Sequence, residues 1–178
     1  MRRFTVPFLV VAVLVLSVVT GSMRSPVIAQ DATPTSDLEA NKVLASRFHE
    51  ELFNQGNMDA ADEILASDFV WHYPPNESFA DGPEGAKEEA ANNRAFFPDL
   101  VLTEDDIIAE GDRVVIRWTL RGTAQVEAGG IPVTVTGIDI FRVADGQLAE
   151  LWQLYDERGL QLQLEEMPAT PMAGTPTS

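Results

Sequence analysis

The chain contains no cysteine. Thiolate nucleophiles, thiolate metal ligands and disulfide bridges are therefore excluded together. Histidine is scarce, with His49 and His72 the whole supply. Neither has a carboxylate or second imidazole at a ligand-forming spacing, so no metal motif is present. Basic residues are few: Lys and Arg number 12 against 28 Asp and Glu, a net charge of −16. Such a surface repels phosphate backbones and anionic headgroups, which argues against nucleic acid and membrane surfaces as partners. The one long apolar run, residues 6–19, is shorter than the ~20 residues a spanning helix needs.

That run has a second reading. Arg2 and Arg3 precede it, and Val27 and Ala29 place small residues before Gln30. This is the layout of a secretory signal cut before Gln30 or Asp31, with an uncleaved anchor as the alternative. The expectation is a signal peptide at 1–29, an extracytoplasmic protein, and no stable membrane insertion after cleavage. Cleavage removes Arg2, Arg3 and Arg24 and no acid, which takes the net charge to about −19. Residues 30–37 and 167–178 are rich in Pro, Thr and Ala and are expected to be disordered. Residues 38–166 remain for one domain, which without disulfides relies on its core alone.

Within that domain, Leu38, Val43, Leu44, Phe48, Leu52 and Phe53 recur at helical spacing, predicting a helix over 37–55 capped by Ser36 or Asp37. His49 falls on its polar side and is given no role. Gly56 ends the helix, and "NMDAADEILA" predicts a second, short one capped by Asn57. "SDFVWHYP" is extended and stops at Pro74 and Pro75, and "DGPEGAKEEAANNRAFFP" predicts a third helix between Pro83 and Pro98. The period then changes. Two hairpins follow, turning at Glu110-Gly111-Asp112 and Ala144-Asp145-Gly146, and "ERGLQLQLEE" returns to a helix. Helices followed by an antiparallel meander imply an α+β domain: three N-terminal helices on a curved, mostly antiparallel sheet, forming a cone with a short C-terminal helix. The open end of such a cone suits a small molecule.

The phrases "FPDL", "EGDRVV.RW", "TGIDIFR.ADG" and "E.W...D..GL..QL" resemble the SnoaL-like polyketide cyclases and the wider ester cyclase group. The resemblance runs from Asn41 to Leu164. It implies the cone-shaped fold also found in nuclear transport factor 2, ketosteroid isomerase and limonene epoxide hydrolase. It also implies an intramolecular aldol ring closure without metal or cofactor, and it makes a homodimer the expected assembly. The family's acid–base carboxylate follows the position of Trp152. Here that residue is Gln153, and an amide takes up no proton near neutral pH.

Strand alternation puts Leu151, Gln153 and Tyr155 on one face and Glu150, Trp152 and Asp156 on the other. The family register turns the Gln153 face inward. Asp139 matches another inward position and is the acid–base candidate, with structural hydrogen bonding as its alternative reading. His72, at a strand exit, is the second catalytic candidate, because imidazole exchanges protons near neutral pH, with packing and hydrogen bonding beside the aromatics as its plainer reading. Gln153 and Tyr155 are candidate substrate contacts. Trp118 joins them, although core or dimer packing is the plainer reading of Trp118 and Trp152. Arg117, Arg121 and Arg142 read as cross-strand ion-pair partners, and Asp156 as a helix cap. No strand carries the Arg-x-Asp unit of the epoxide hydrolase. Three functions remain open: a cofactor-free enzyme acting next to a carbonyl, a carrier of a small apolar molecule, and a dimeric structural module.

Overall fold

The first helical stretch winds in two ways. The structure, a computed structural model, describes residues 35–73, 76–126 and 129–165. The expected export signal at 1–29, most of the linker at 30–37 and the tail at 167–178 lie outside the described residues. Helix α1, Thr35–Arg47, takes in the end of that linker and continues as a π-helical segment, Phe48–Gln55. π winding is rare and recurs near functional sites. It buries Phe48, His49, Leu52 and Phe53. His49 thus corrects the expectation: it is 2% exposed rather than on a polar face. It lies on one helical row with Ala45 and Phe53, both buried, so the core covers two adjacent rows and not one. The segment ends at Gly56, whose φ of 70° suits glycine. Arg94 donates to the Phe53 and Asn54 carbonyls that the helix end leaves open.

Helix α2, Ala60–Ile64, buries Ala60, Ala61 and Ile64 and leads into strand β1, Leu65–Tyr73. A further strand, β2 (Asn76–Asp81), pairs antiparallel with β1; the sequence reading had stopped at the prolines. Helix α3, Gly82–Phe96, carries Pro83 in its first turn, where a missing N–H costs nothing, and ends before Pro98.

Strands β3 (Val101–Glu110), β4 (Arg113–Val126), β5 (Gly129–Ala144) and β6 (Gln147–Tyr155) form the meander. The sheet order is β2-β1-β6-β5-β4-β3, antiparallel except for β1 beside β6. The Asp145-Gly146 turn has φ of 52° and 78° at its two residues, as a tight hairpin requires. Along β5, Val133, Val135, Asp139, Phe141 and Val143 are buried while Thr134, Thr136, Ile138 and Ile140 are exposed. The sheet therefore has a helix-covered inner face and an open outer face. Phe48 anchors the inner face, with ring centroids 5.3 Å from Phe141, 5.4 Å from Phe53 and 5.5 Å from Trp71. Each such pair adds about 0.5–1.5 kcal/mol beyond area burial. Helix α4, Glu157–Glu165, closes the chain; the Asp156 carboxylate accepts the Gly159 N–H at 2.8 Å, which is the expected cap.

Candidate functional site: a chamber between α3 and the sheet

Two strand positions set the inner wall of a chamber. β5 and β6 pair Asp139 with Gln153 and Gly137 with Tyr155, so Gln153 and Tyr155 do face inward. On β4 the inward residue opposite Gly137 is Trp118. Its ring lies flat against that glycine: a Cβ there would sit 2.3 Å from the ring. Any larger residue at 137 would displace the indole.

Helix α3 supplies the opposite wall. Glu89, Asn93 and Phe96 follow helical spacing and share one side. Between them and the sheet lies a cavity of about 280 Å³. Phe53, Trp71, Phe96, Leu102, Trp118 and Leu120 make most of it apolar. Its polar groups are few: Glu89, Asn93, Gln153, Tyr73 and Tyr155. An apolar cleft with a few convergent polar groups is the usual form of a small-molecule site.

Those polar groups differ in what they offer. Burial raises the Glu89 carboxyl above the ordinary carboxylate range, only partly offset by Asn93, whose Nδ2 donates to it at 2.6 Å. Tyr73 and Tyr155 stack at 5.2 Å, and burial together with the Tyr155 hydroxyl pushes the Tyr73 phenol well above its usual value. Trp118 is 4% exposed, and among the described residues no acceptor meets its Nε1. A buried N–H left without a partner costs about 1–3 kcal/mol, which a ligand oxygen would recover.

Asp139 stands one layer behind this wall. It is fully buried, outside the chamber lining, and its Oδ2 lies 2.9 Å from His49 Nε2. The other ring nitrogen, His49 Nδ1, lies 2.9 Å from Glu104 Oε1. Burial alone would lower the proton affinity of the imidazole. Hydrogen bonds to Asp139 and Glu104 outweigh it and raise the His49 pKa to about 9. Gln153 Nε2 donates weakly toward Asp139 Oδ2 at 3.5 Å.

The structure does not bring His72 to this site. Trp71 and Tyr73 point inward, so alternation turns His72 to the outer face. There its ring stacks on Trp152 at 5.0 Å, and Nε2 meets Glu150 at 3.2 Å. Arg142 pairs with Glu150 across the β5–β6 ladder, and Arg117 with Asp105 and Asp106, as cross-strand partners. Sequence reasoning missed His49, Glu89, Asn93, Tyr73 and Glu104. His49 had a signal, the apolar Ala45 and Phe53 on its row. Glu89 had none, because "KEEAANN" reads as a solvated helix face.

The sequence pattern of the SnoaL-like polyketide cyclases matches residues 43–164. Among solved structures, TsrD from Streptomyces laurentii is 30% identical, with a TM-score of 0.64 over 72% of this chain and 97% of its own. IdmH from Streptomyces antibioticus is also 30% identical, with a TM-score of 0.63 over 70% of this chain and 98% of its own. A candidate polyketide cyclase from Acidithiobacillus ferrooxidans is 25% identical, with a TM-score of 0.63 over 71% and 95% of the two chains. No curated protein matches the chain.

Proposed function

Because the chain belongs to the SnoaL-like polyketide cyclase family, we propose that its chamber is a reaction site for a small, largely apolar carbonyl compound. The reaction is a cyclisation or isomerisation that moves a proton next to the carbonyl, without a metal or cofactor. One observation carries this reading: a carboxyl of raised proton affinity, Glu89, faces an apolar chamber whose sheet wall holds the unpartnered Trp118 Nε1. Glu89 takes the proton, since a carboxylate disfavoured by burial is a stronger base than one in water. Trp118 Nε1 donates to the oxygen on which negative charge develops. The test is exchange of the α-protons of 2-tetralone in D2O, followed by NMR. Glu89→Gln should abolish catalysed exchange; exchange at the wild-type rate removes the proposal.

A carrier that holds its ligand unchanged is the second reading, favoured by Gln153 at the position where the family's carboxylate stands. It predicts binding of 2-tetralone with no catalysed exchange.

Export and a homodimer belong to the same proposal. Export rests on Arg2, Arg3, the apolar run and the small residues before Gln30. The dimer rests on the outer face, where Ile138, Ile140 and Leu154 are 45%, 37% and 62% exposed beside Trp152. The exported material should begin at Gln30 or Asp31 and sediment as two chains. A Met1 start removes the first claim, and a monomer the second.

A further inference from the structure

The chamber reaction leaves unused Asp139 and His49, the most deeply buried titratable side chains among the described residues. Ser46 Oγ donates to Glu104 Oε2 at 2.7 Å, Glu104 Oε1 meets His49 Nδ1 at 2.9 Å, and His49 Nε2 meets Asp139 Oδ2 at 2.9 Å. The Glu104 side chain is 24% exposed, His49 2% and Asp139 0%. Hydrogen bonds thus run without a gap from solvent to a carboxylate inside the core. Asp139, on β5, is the cross-strand partner of chamber-lining Gln153 on β6, and it lies one inward position from Gly137, on which Trp118 rests. Its Oδ1 has no partner among the described residues, and neither has Trp118 Nε1. Replacing a buried ion array by apolar side chains is often neutral or stabilising, so stability alone gives no reason for this one.

We propose that Glu104, His49 and Asp139 form a proton-exchange path between the inner wall of the chamber and solvent, with Asp139 Oδ1 as its chamber end. The proposal rests on the chamber being the reaction site. The Gln153 amide carries no proton. It stands between Asp139 and the chamber on a 3.5 Å bond, the longest in the series, so it moves aside at low cost. A ligand oxygen can then sit between the two orphan atoms, accepting from Trp118 Nε1 and donating to Asp139 Oδ1. The enol formed when a bound ketone loses its α-proton meets that requirement, and an ether oxygen does not.

The proton balance is simple. The array begins as two carboxylates and one imidazolium, net −1. A proton from the ligand hydroxyl reaches Asp139 Oδ1. His49 passes its Nδ1 proton to Glu104 Oε1 and keeps Nε2–H toward Asp139. Glu104 releases that proton to water, and the array is again net −1. The reverse sequence returns a proton to the product. Ligand and array together hold a constant charge until Glu104 releases the proton, and the release leaves one negative charge on the ligand oxygen, to which Trp118 Nε1 donates. Few other charges face the path. Glu50 acts on Glu104 from the helical segment, while the β4 residues opposite Asp139 and Glu104, Ile116 and Trp118, are uncharged.

The experiment measures 2-tetralone exchange across pH for the whole exported chain and for His49→Gln, Glu104→Gln and Glu89→Gln. Folding of each variant is checked by circular dichroism. Loss of the path should slow exchange about tenfold or more and remove the wild-type change in rate near pH 9, where His49 titrates. Glu104→Gln leaves both deeply buried partners in place, so it reports even if His49→Gln fails to fold. A folded Glu104→Gln protein with the wild-type rate and pH profile overturns the proposal, whatever its stability. Exchange that survives Glu89→Gln overturns the reading of the chamber instead.

Discussion

Raising the pH from 6.5 to 9 should cost the folded protein about 3 kcal/mol of stability, traceable to His49. The imidazole titrates at about 9 in the fold against 6.5 as a free side chain, so the native state holds the proton more tightly. The sign follows. Below pH 6.5 both states are protonated and the contribution is complete; it is lost as pH rises through 9. Asp139→Asn separates this from ordinary alkaline destabilisation. The variant keeps the shape but removes one of the two charges facing the imidazolium, and breaking a buried pair costs about 3–5 kcal/mol. It should be less stable at pH 6 and should show a much flatter loss toward pH 9. Urea unfolding across that range checks both, and parallel curves for the two proteins would show that His49 does not carry the charge.

Glu89→Gln has the larger effect on chemistry. The amide keeps the size of the side chain and its contact with Asn93, but accepts no proton. Removing a general base costs about 10²–10⁴-fold in rate. Stability should move the other way. Burial opposes the ionised Glu89 carboxyl, so a neutral amide relieves that opposition at neutral pH. Lost exchange together with an unchanged or raised melting temperature is the expected pair of results. Lost exchange with a collapsed melting temperature would mark Glu89 as structural.

The register of the inner wall was legible because strand alternation leaves two choices and the family resemblance selects one, which the β5–β6 pairing bears out. That placed Gln153, Tyr155 and Asp139 on the inward face. The same alternation, followed through Trp71, His72 and Tyr73, turns His72 outward; its nearness to a strand exit in the sequence concealed this. His49 was hidden by a single-row reading of the first helix, since a π segment and a wide core bury the next row as well. Glu89 was not legible at all. Its exposure depends on how closely α3 lies against the sheet, which is set by Gly137, Trp118 and other residues far along the chain. β2 escaped because its six residues, "NESFAD", carry little strand patterning and gain their ladder from β1.

Entry of a small molecule into the chamber between α3 and the sheet is the central requirement, and the protein carries its own reporters. Trp71 and Trp118 line the chamber, while Trp152 lies on the outer face between His72 and Arg113. An ¹H–¹⁵N spectrum therefore holds three indole signals that separate the two sides of the sheet. Titration with 2-tetralone should shift the Trp118 indole most, with Trp71 following and Trp152 unmoved. A shift confined to Trp152, or no shift in any of the three while the ligand binds, would contradict it.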